Sequence, residues 1–236
     1  MATTIKTMGL ILKMSDTPSK DKLLKILTPS GLISAFMKIK RTAGKTSYIA
    51  DLFTYGEFVL FNTDKGNYLV NSFTPEEHFY SIREDITRFA AAGYFCSFAN
   101  VYSEQPDINY SDALKLMLAS LYSLTSDKDV KTIKSIFELK SCQLLGVEPC
   151  LEAEQKAVEY HFDLQDGRLY NYEIKNGYYV TRQAVLSMYN VLRASVETAF
   201  DMEFYQPEYI YSITENYLLY QIEKVPDSLE FLKGVL

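Results

Sequence analysis

Short apolar or alternating runs dominate the first 75 residues. Such runs, separated by turns rich in Pro, Gly, Asp and Ser, are typical of β-strands. The runs that we interpret as strands are Ile5–Lys13, Lys22–Leu27, Leu32–Lys40, Asp51–Asn62 and Asn67–Phe73. Five strands joined by short turns predict a small closed barrel, and the five-stranded OB barrel is a frequent oligonucleotide binder.

After Thr74 and Pro75 the apolar positions follow a helical period. One stripe consists of Tyr110, Leu114, Met117, Leu121 and Leu124. Ser126 and Asp129 have capping-box spacing, which predicts that a second helix starts there and ends before Gly146. Its apolar positions are Val130, Ile133, Phe137 and Leu144. A third stripe, with Thr181 as the expected N-cap, consists of Val185, Met188, Leu192, Val196 and Ala199.

Between Leu151 and Tyr179 the helical period fails. The segment AVEYHFDLQDGRLYNYEI predicts a β-hairpin that turns at Asp166 and Gly167. These patterns together predict an α+β chain with two domains. An OB domain would cover residues 1–77, and a mainly helical domain would cover residues 78–236 with a small β-ribbon inserted at about 150–180.

The positive charge is concentrated in the predicted barrel. Residues 1–75 contain ten Lys/Arg and five Asp/Glu, a net charge of +5, whereas the remainder has 14 and 25, a net charge of −11. Attraction to a polyanion depends on the local potential within a Debye length of about 8–10 Å. The total charge of −6 therefore does not exclude a basic binding face.

The densest basic cluster lies in FMKIKRTAGKTSYIADLF, residues 36–53. In a strand, Lys38 and Lys40 project to one side while Met37 and Ile39 project to the other, so the apolar pair can fill the barrel. We interpret the basic residues around this point as a phosphate-binding surface that does not read base sequence. They are Lys38, Lys40, Arg41, Lys45, Lys20, Lys22 and Lys25, the last three joining only if the second and third strands are neighbours.

Aromatic residues near this cluster offer stacking surfaces for unpaired bases. The chain has 19 Tyr and 14 Phe but no Trp, and the candidates beside the basic loop are Tyr48, Phe53 and Tyr55. The alternative for the lysines is a solvated surface that keeps the protein soluble.

Gly44, Lys45 and Thr46 match the end of a nucleotide-binding P-loop. The full motif requires a glycine at position 39, which is Ile39, and a helix after Thr46, where the sequence instead predicts a strand. A nucleotide enzyme is therefore the disfavoured alternative. The chain has only two histidines, His78 and His161, and no nucleophile or metal-ligand motif, so we expect no enzyme.

The three cysteines lack both CxxC spacing and an even count, so reduced thiols are expected. The longest apolar stretch near the start, Met8–Leu12, is too short for a membrane span or a signal-peptide core. A cytoplasmic location is expected.

Five blocks in their order resemble the bacterial recombination mediator family RecO over nearly the whole chain. They are GLILKMSDTPSKDKLLKILTPSGLISAFMKIKR, LFTYGEFVLF, FYSIREDITRF, IFELKSCQLLGVEP and YLLYQIEKVPDSLEFL. The resemblance implies an OB barrel before a helical domain, binding of single- and double-stranded DNA, and annealing of complementary strands. It also implies a nucleoid-associated protein that contacts the single-stranded-DNA-binding protein SSB and the partner RecR and helps RecA to load.

The chain departs from the family in several places. Members commonly carry a four-cysteine zinc module, whose positions fall here on Glu154, Ala157, Tyr170 and Glu173. None is a thiol, so we expect a ribbon without zinc and no cofactor. Ile39 replaces a usual glycine, and a usual acidic position lies near Ser19.

The resemblance further implies that the acidic, hydrophobic tail of SSB docks on the helical domain, which requires an aromatic groove with cations nearby. The candidates on one helix are Lys131, Lys134, Phe137 and Lys140. The alternative is an ordinary amphipathic helix. A second class of function is a protein-interaction adaptor, in which the acidic helical domain binds partners and the barrel is a scaffold.

Overall fold

The structure is a computed structural model that describes residues 4–19, 21–38, 41–42, 45–46, 50–62, 67–152, 158–205 and 207–236. For residues 41–42, 45–46 and 207–209 the description covers the backbone alone.

The first part of the chain forms a five-stranded barrel, as the sequence predicts. The barrel strands are β1 (Thr4–Asp16), β2 (Lys22–Thr28), β3 (Gly31–Met37), β6 (Tyr55–Asn62) and β7 (Tyr68–Glu77). Between β3 and β6, the short strands β4 (Arg41–Thr42) and β5 (Lys45–Thr46) form a separate two-stranded sheet. The barrel order is β1-β2-β3-β7-β6, and β6 pairs back with β1. The seam between β3 and β7 is parallel and limited to Ala35↔Tyr68 and Phe36↔Leu69.

Four strand boundaries differ from the prediction by three or more residues. β1 ends at Asp16 rather than Lys13, and β7 ends at Glu77 rather than Phe73. β3 ends at Met37 rather than Lys40, and β6 begins at Tyr55 rather than Asp51. Residues 51–54 form a turn instead, in which the Thr54 amide donates to the Asp51 carbonyl at 3.1 Å. Phe53 within that turn has a left-handed φ of 62°, which an extended strand cannot contain.

The barrel closes tightly where β1 meets β6. Gly9 and Gly56 are directly paired across these strands. On the other side of β6, a Cβ atom on Gly56 would overlap the Thr74 carbonyl oxygen of β7, so only glycine allows the backbones of β6 and β7 to approach this closely. The interior is filled by buried Ile11, Leu24, Ile26, Ala35, Ala50, Phe58 and Leu60.

Helices make up most of the second part. A 3₁₀ turn (Tyr80–Glu84) precedes α1 (Ile86–Ser103), α2 (Tyr110–Leu124), α3 (Val130–Leu144), α4 (Arg182–Arg193), α5 (Val196–Ala199), α6 (Pro207–Ile222) and α7 (Leu229–Lys233). The predicted stripes correspond to α2, α3 and α4, although the third one is divided between α4 and α5. Within the described residues, no helix has the length and hydrophobicity needed to cross a membrane.

Side-chain caps explain where α3 and α4 begin. Thr181 caps α4 by accepting from the Ala184 amide at 3.3 Å, as predicted. The cap of α3 is Asp129, which accepts from the Thr132 amide at 2.9 Å, and not the expected Ser126. Ser126 lies too far upstream because the helix starts only at Val130.

The predicted ribbon is present as a three-stranded sheet with order β10-β8-β9. Its strands are β8 (Glu159–Phe162), β9 (Leu169–Tyr170) and β10 (Tyr178–Thr181). β8 and β9 are antiparallel and are joined by the turn that contains Asp166 and Gly167. Gly167 adopts the left-handed φ of 66° that such a turn favours.

The barrel and the helices share one hydrophobic core. The outer barrel residues Leu10, Leu12 and Leu27 belong to the same buried cluster as the helical interior. Phe53 packs edge-on against Phe89 of α1, with ring centroids 5.6 Å apart. This buried contact ties the barrel to α1.

Candidate nucleic-acid interface

The basic segment leaves the barrel at the end of β3. Lys38 follows the last residue of that strand and is exposed. Met37 packs against the barrel core, in agreement with its predicted inward orientation. Beyond it, β4 and β5 form a short antiparallel hairpin through the pairs Arg41↔Thr46 and Thr42↔Lys45.

Several predicted residues lie outside the described residues. They are Lys20, Ile39, Lys40, Gly44 and Tyr48. The structure describes the backbone, but not the side chains, of Arg41 and Lys45. Lys45 and Thr46 have strand conformation, whereas a P-loop requires these positions to open a helix. This backbone conformation argues against the nucleotide-enzyme alternative.

Lys22 is close to the basic segment, but its charge is offset. β2 and β3 are neighbours, and Lys22 lies directly opposite Met37. The Lys22 ammonium forms an ion pair with Asp16 at 2.8 Å, and only 15% of the lysine side chain is exposed. Its positive charge is therefore partly neutralised by the protein's own carboxylate.

Lys25 lies on the other face of β2. Side chains alternate along a strand, and Leu24 and Ile26 point into the barrel, so Lys25 points outward. Its ammonium donates a hydrogen bond to the Asn100 side-chain oxygen on α1. Lys22 and Lys25 are an odd number of residues apart on the strand, so their side chains leave it on opposite faces. β2 and β3 are neighbours, which is the condition set for these lysines, but their part in DNA binding stays a prediction.

Lys13 is a cation that the sequence pattern did not single out. It lies directly opposite Lys25 across β1 and β2, just after an irregularity in the strand register. Neither lysine forms an ion pair in the part of the chain that the structure describes. Like charges directly opposite each other repel, and a bound anion would relieve that repulsion. Only the strand register reveals this pair.

The described aromatic candidates differ in burial. Phe53 is 1% exposed and belongs to the core between barrel and helices. The prediction that it stacks on bases is wrong, because its ring contacts Phe89 instead of solvent. Tyr55 is half-buried, and burial together with the charge of Glu76 raises its pKa.

The predicted docking face on α3 is buried. Phe137 is fully buried and stacks on Phe95 with ring centroids 4.3 Å apart. Lys140, 3% exposed, donates to the carbonyl oxygens of Leu192 at 3.2 Å and Ala194 at 2.7 Å. The prediction of an exposed groove at Lys134, Phe137 and Lys140 is wrong, because these side chains face the interior. Lys131 alone of the predicted set is partly exposed.

Lys134 is the centre of a buried polar network. Its ammonium contacts Glu138 at 2.5 Å and Glu215 at 2.8 Å, and Glu138 also accepts from the Tyr94 hydroxyl at 2.8 Å. Burial raises the pKa of Glu138, although the Lys134 charge and the hydrogen bonds that Glu138 accepts from Lys134, Thr214 and Tyr94 oppose the rise. Burial also acts on Glu215, but the cations Lys134 and Lys233 hold its pKa below the usual value. Amphipathic spacing gave no indication of this network.

The resemblance to the family places four zinc-ligand positions in or near the ribbon. Tyr170 and Glu173 are described, whereas Glu154 and Ala157 lie outside the described residues. Within the described ranges, no group of three or more His, Cys, Asp or Glu residues is placed to hold a metal ion. The absence of zinc from the ribbon stays a prediction.

Nearly the whole chain matches known proteins. Residues 1–79 match the family model for the Recombination protein O N terminal, and residues 83–229 match the model for the Recombination protein O C terminal. The DNA repair protein RecO of Acetivibrio thermocellus is 28% identical over 246 residues, which cover 97% of this chain and 96% of that protein.

Two further relatives carry the same name. DNA repair protein RecO of Alkaliphilus metalliredigens is 32% identical over 151 residues, covering 62% of this chain and 60% of that protein. The protein of Caldicellulosiruptor bescii is 29% identical over 172 residues, covering 70% of each chain. Since the second family model alone matches more than half of the residues, the chain belongs to the RecO family of DNA repair and recombination proteins.

Proposed function

We propose that this chain is a non-catalytic mediator that binds single- and double-stranded DNA and promotes annealing of complementary strands. The observation that carries the proposal is the basic segment at the end of β3 in a five-stranded barrel of a RecO family member. Barrels of this type bind oligonucleotides through a strand face and adjacent loops. The exposed Lys38 is placed at the point where such a loop leaves the barrel.

Phosphate contact is the main source of affinity in the proposed complex. Lys38, Lys40, Arg41 and Lys45 bind the DNA backbone, while Lys22 contributes less because Asp16 already offsets its charge. Lys13 and Lys25 extend the contact along the outside of β1 and β2. Binding to phosphates carries no sequence information, which suits a protein that acts on any DNA.

Annealing follows from charge neutralisation. Two complementary strands repel each other through their phosphates, and bound cations reduce that repulsion so that base pairs can form. In the cell, the proposed protein acts on DNA coated by SSB and, together with RecR, helps RecA to load. Because Phe137 is buried, we propose that the SSB tail docks at another surface of the helical part.

The test is the salt dependence of DNA binding. Replacing Lys38, Lys40, Arg41 and Lys45 with Ala should weaken binding to all sequences. It should also reduce the slope of log affinity against log salt by about one unit for each phosphate that is no longer neutralised. The measurement is fluorescence anisotropy of labelled single-stranded DNA over a series of salt concentrations.

A matched control removes the same charge elsewhere. Replacing Lys115, Arg168, Lys175 and Arg182 with Ala deletes four cations from α2, the ribbon and the start of α4, and should leave the slope close to the wild-type value. An unchanged slope in the barrel variant would contradict the proposed DNA site. Negligible wild-type affinity at both low and moderate salt would instead support the adaptor alternative.

A further inference from the structure

The outer face of the ribbon presents a row of aromatic side chains. His161 on β8 lies directly opposite Tyr179 on β10 and Tyr170 on β9, so the three residues form one row across the sheet. The other face of the ribbon is buried in the core through Tyr160, Phe162 and Val180 and is not available to a ligand.

Tyr172 extends this row beyond Tyr170, and the four rings lie close together, with His161 and Tyr170 partly buried and Tyr172 and Tyr179 exposed. The His161 and Tyr179 ring centroids are 6.2 Å apart, and those of Tyr170 and Tyr172 are 5.4 Å apart. Tyr179 is 42% exposed and Tyr172 is 60% exposed. Cross-strand aromatic pairs stabilise the sheet, and their exposed ring faces also offer apolar area to a ligand.

Two carboxylates hold the tyrosines of the row. The Tyr170 hydroxyl donates to Asp166 at 2.5 Å, and the Tyr179 hydroxyl is hydrogen-bonded to Glu159. Each of these bonds raises the pKa of its tyrosine. The hydroxyl bonds hold each tyrosine side chain in one orientation, so less conformational entropy is lost when a ligand binds.

The chemistry of this face favours a cationic ligand over a nucleic acid. Ring faces attract ammonium and guanidinium groups, and the adjacent carboxylates add attraction of the same sign. DNA bases can also stack on tyrosines, but the phosphates would then approach Asp166 and Glu159, which repel them. Residues 158–182 also carry three cations, Arg168, Lys175 and Arg182, against four carboxylates, so the preference for a cation rests on the two carboxylates bonded to the tyrosines.

We propose that the outer face of the ribbon, formed by His161, Tyr170, Tyr172 and Tyr179 with Asp166 and Glu159, binds an arginine- or lysine-containing segment of a partner protein. Basic side chains of that segment lie on the rings of Tyr172 and Tyr179, and their charges face the two carboxylates. This site is separate from the proposed DNA site on the barrel and serves a protein partner.

The experiment measures binding of a fluorescently labelled peptide of alternating Gly and Arg to the full chain by anisotropy. Wild type should bind this peptide, and replacing both Tyr172 and Tyr179 with Ala should weaken binding about tenfold, because the variant cannot form two cation–π interactions. Replacing both with Phe keeps the rings and should preserve most of the affinity. Replacing Tyr220, which is 50% exposed on α6, with Ala is the matched control and should have no effect.

Three results would overturn the proposal. The first is no wild-type binding of the Arg peptide at concentrations up to about 1 mM, the weak limit for a specific contact. The second is equal binding by wild type and a Tyr172→Ala/Tyr179→Ala variant that circular dichroism shows to be folded. The third is that the double Ala variant loses affinity for an oligothymidine strand but not for the Arg peptide, which would assign the face to nucleic acid.

Discussion

At the level of single residues, two serines on α3 show how the same side chain can stabilise or destabilise a helix. Ser141 is buried, and its hydroxyl lies 2.8 Å from the buried Tyr102 hydroxyl. Ser135 is also buried, and its hydroxyl is the one buried side-chain polar atom without a hydrogen-bond partner in the described structure. An unsatisfied buried hydroxyl costs free energy, because water would hydrogen-bond to it in the unfolded chain.

Replacing Ser135 with Ala should therefore raise the free energy of unfolding by about 1 kcal/mol, since it removes the unsatisfied group and improves helix propensity. Ser141→Ala is the matched control on the same helix. It should lower the free energy of unfolding by about 1–3 kcal/mol by leaving the Tyr102 hydroxyl without a partner. Urea titration followed by circular dichroism measures both, and equal effects of the same sign would show that hydrogen bonding is not the cause.

At the level of secondary-structure elements, α3 joins several helices through polar contacts in the interior. Lys134 and Glu138 connect α3 to Tyr94 on α1 and to Glu215 on α6. Lys140 satisfies carbonyl groups at the end of α4. The sequence predicted the position of α3 but assigned its lysines to an exposed docking groove or to solvent, because helical spacing does not reveal carboxylates on a distant helix.

Removing the Lys134 charge should be strongly destabilising. Lys134→Met leaves two carboxylates without their buried cation and should lower the free energy of unfolding by about 3–5 kcal/mol near pH 8. The control is Lys115→Met, which breaks the exposed Lys115–Asp112 pair and should change stability by less than about 0.5 kcal/mol. Urea titration of both variants at the same pH measures the difference.

The Lys134→Met variant should also depend on pH in a defined direction. Without Lys134, burial would raise the folded-state pKa of Glu138 further above its unfolded value of about 4.3. A carboxyl group with a raised folded pKa favours the folded state at low pH and loses that contribution as the pH rises through the folded pKa. The deficit relative to wild type should therefore be smaller at about pH 5 than at about pH 8. A deficit that is independent of pH would indicate that lost packing is responsible.

At the level of the whole molecule, the barrel and the helical part are expected to unfold together. The barrel residues Leu10, Leu27 and Phe53 are buried in the same cluster as the helix interior. Unfolding either part alone would expose this shared apolar surface. Phe53 also has a left-handed φ, a costly conformation for a bulky residue that persists only where packing enforces it.

Hydrogen exchange in increasing denaturant should give the same midpoint for peptides from β2 and from α1. Phe53→Ala should lower both midpoints together, because burial of a Phe side chain contributes about 3–5 kcal/mol to the shared core. Phe231→Ala, at a side chain that is 51% exposed on α7, should leave them unchanged. Loss of protection in β2 at lower denaturant than in α1 would show that the two parts unfold independently.

Strands and helices that are determined by residues close together in the sequence could be predicted from the sequence alone. Alternation and turns predicted the barrel strands, and periodicity predicted α2, α3 and α4, with the correct cap for α4 alone, because these patterns depend on neighbouring residues. Helix α1 shows no single apolar stripe, because its own buried residues lie on most of its sides. They include Ala90, Tyr94, Phe95 and Phe98.

Tertiary packing determines which charged side chains become neighbours in the folded chain. The pairing of Lys13 with Lys25, the Lys22–Asp16 contact and the Lys134–Glu215 ion pair follow from strand register and helix packing. The last pair joins residues on α3 and α6, and the first joins two strands across a register shift. Coulomb interactions act over distances in space, and separation along the chain does not report that distance.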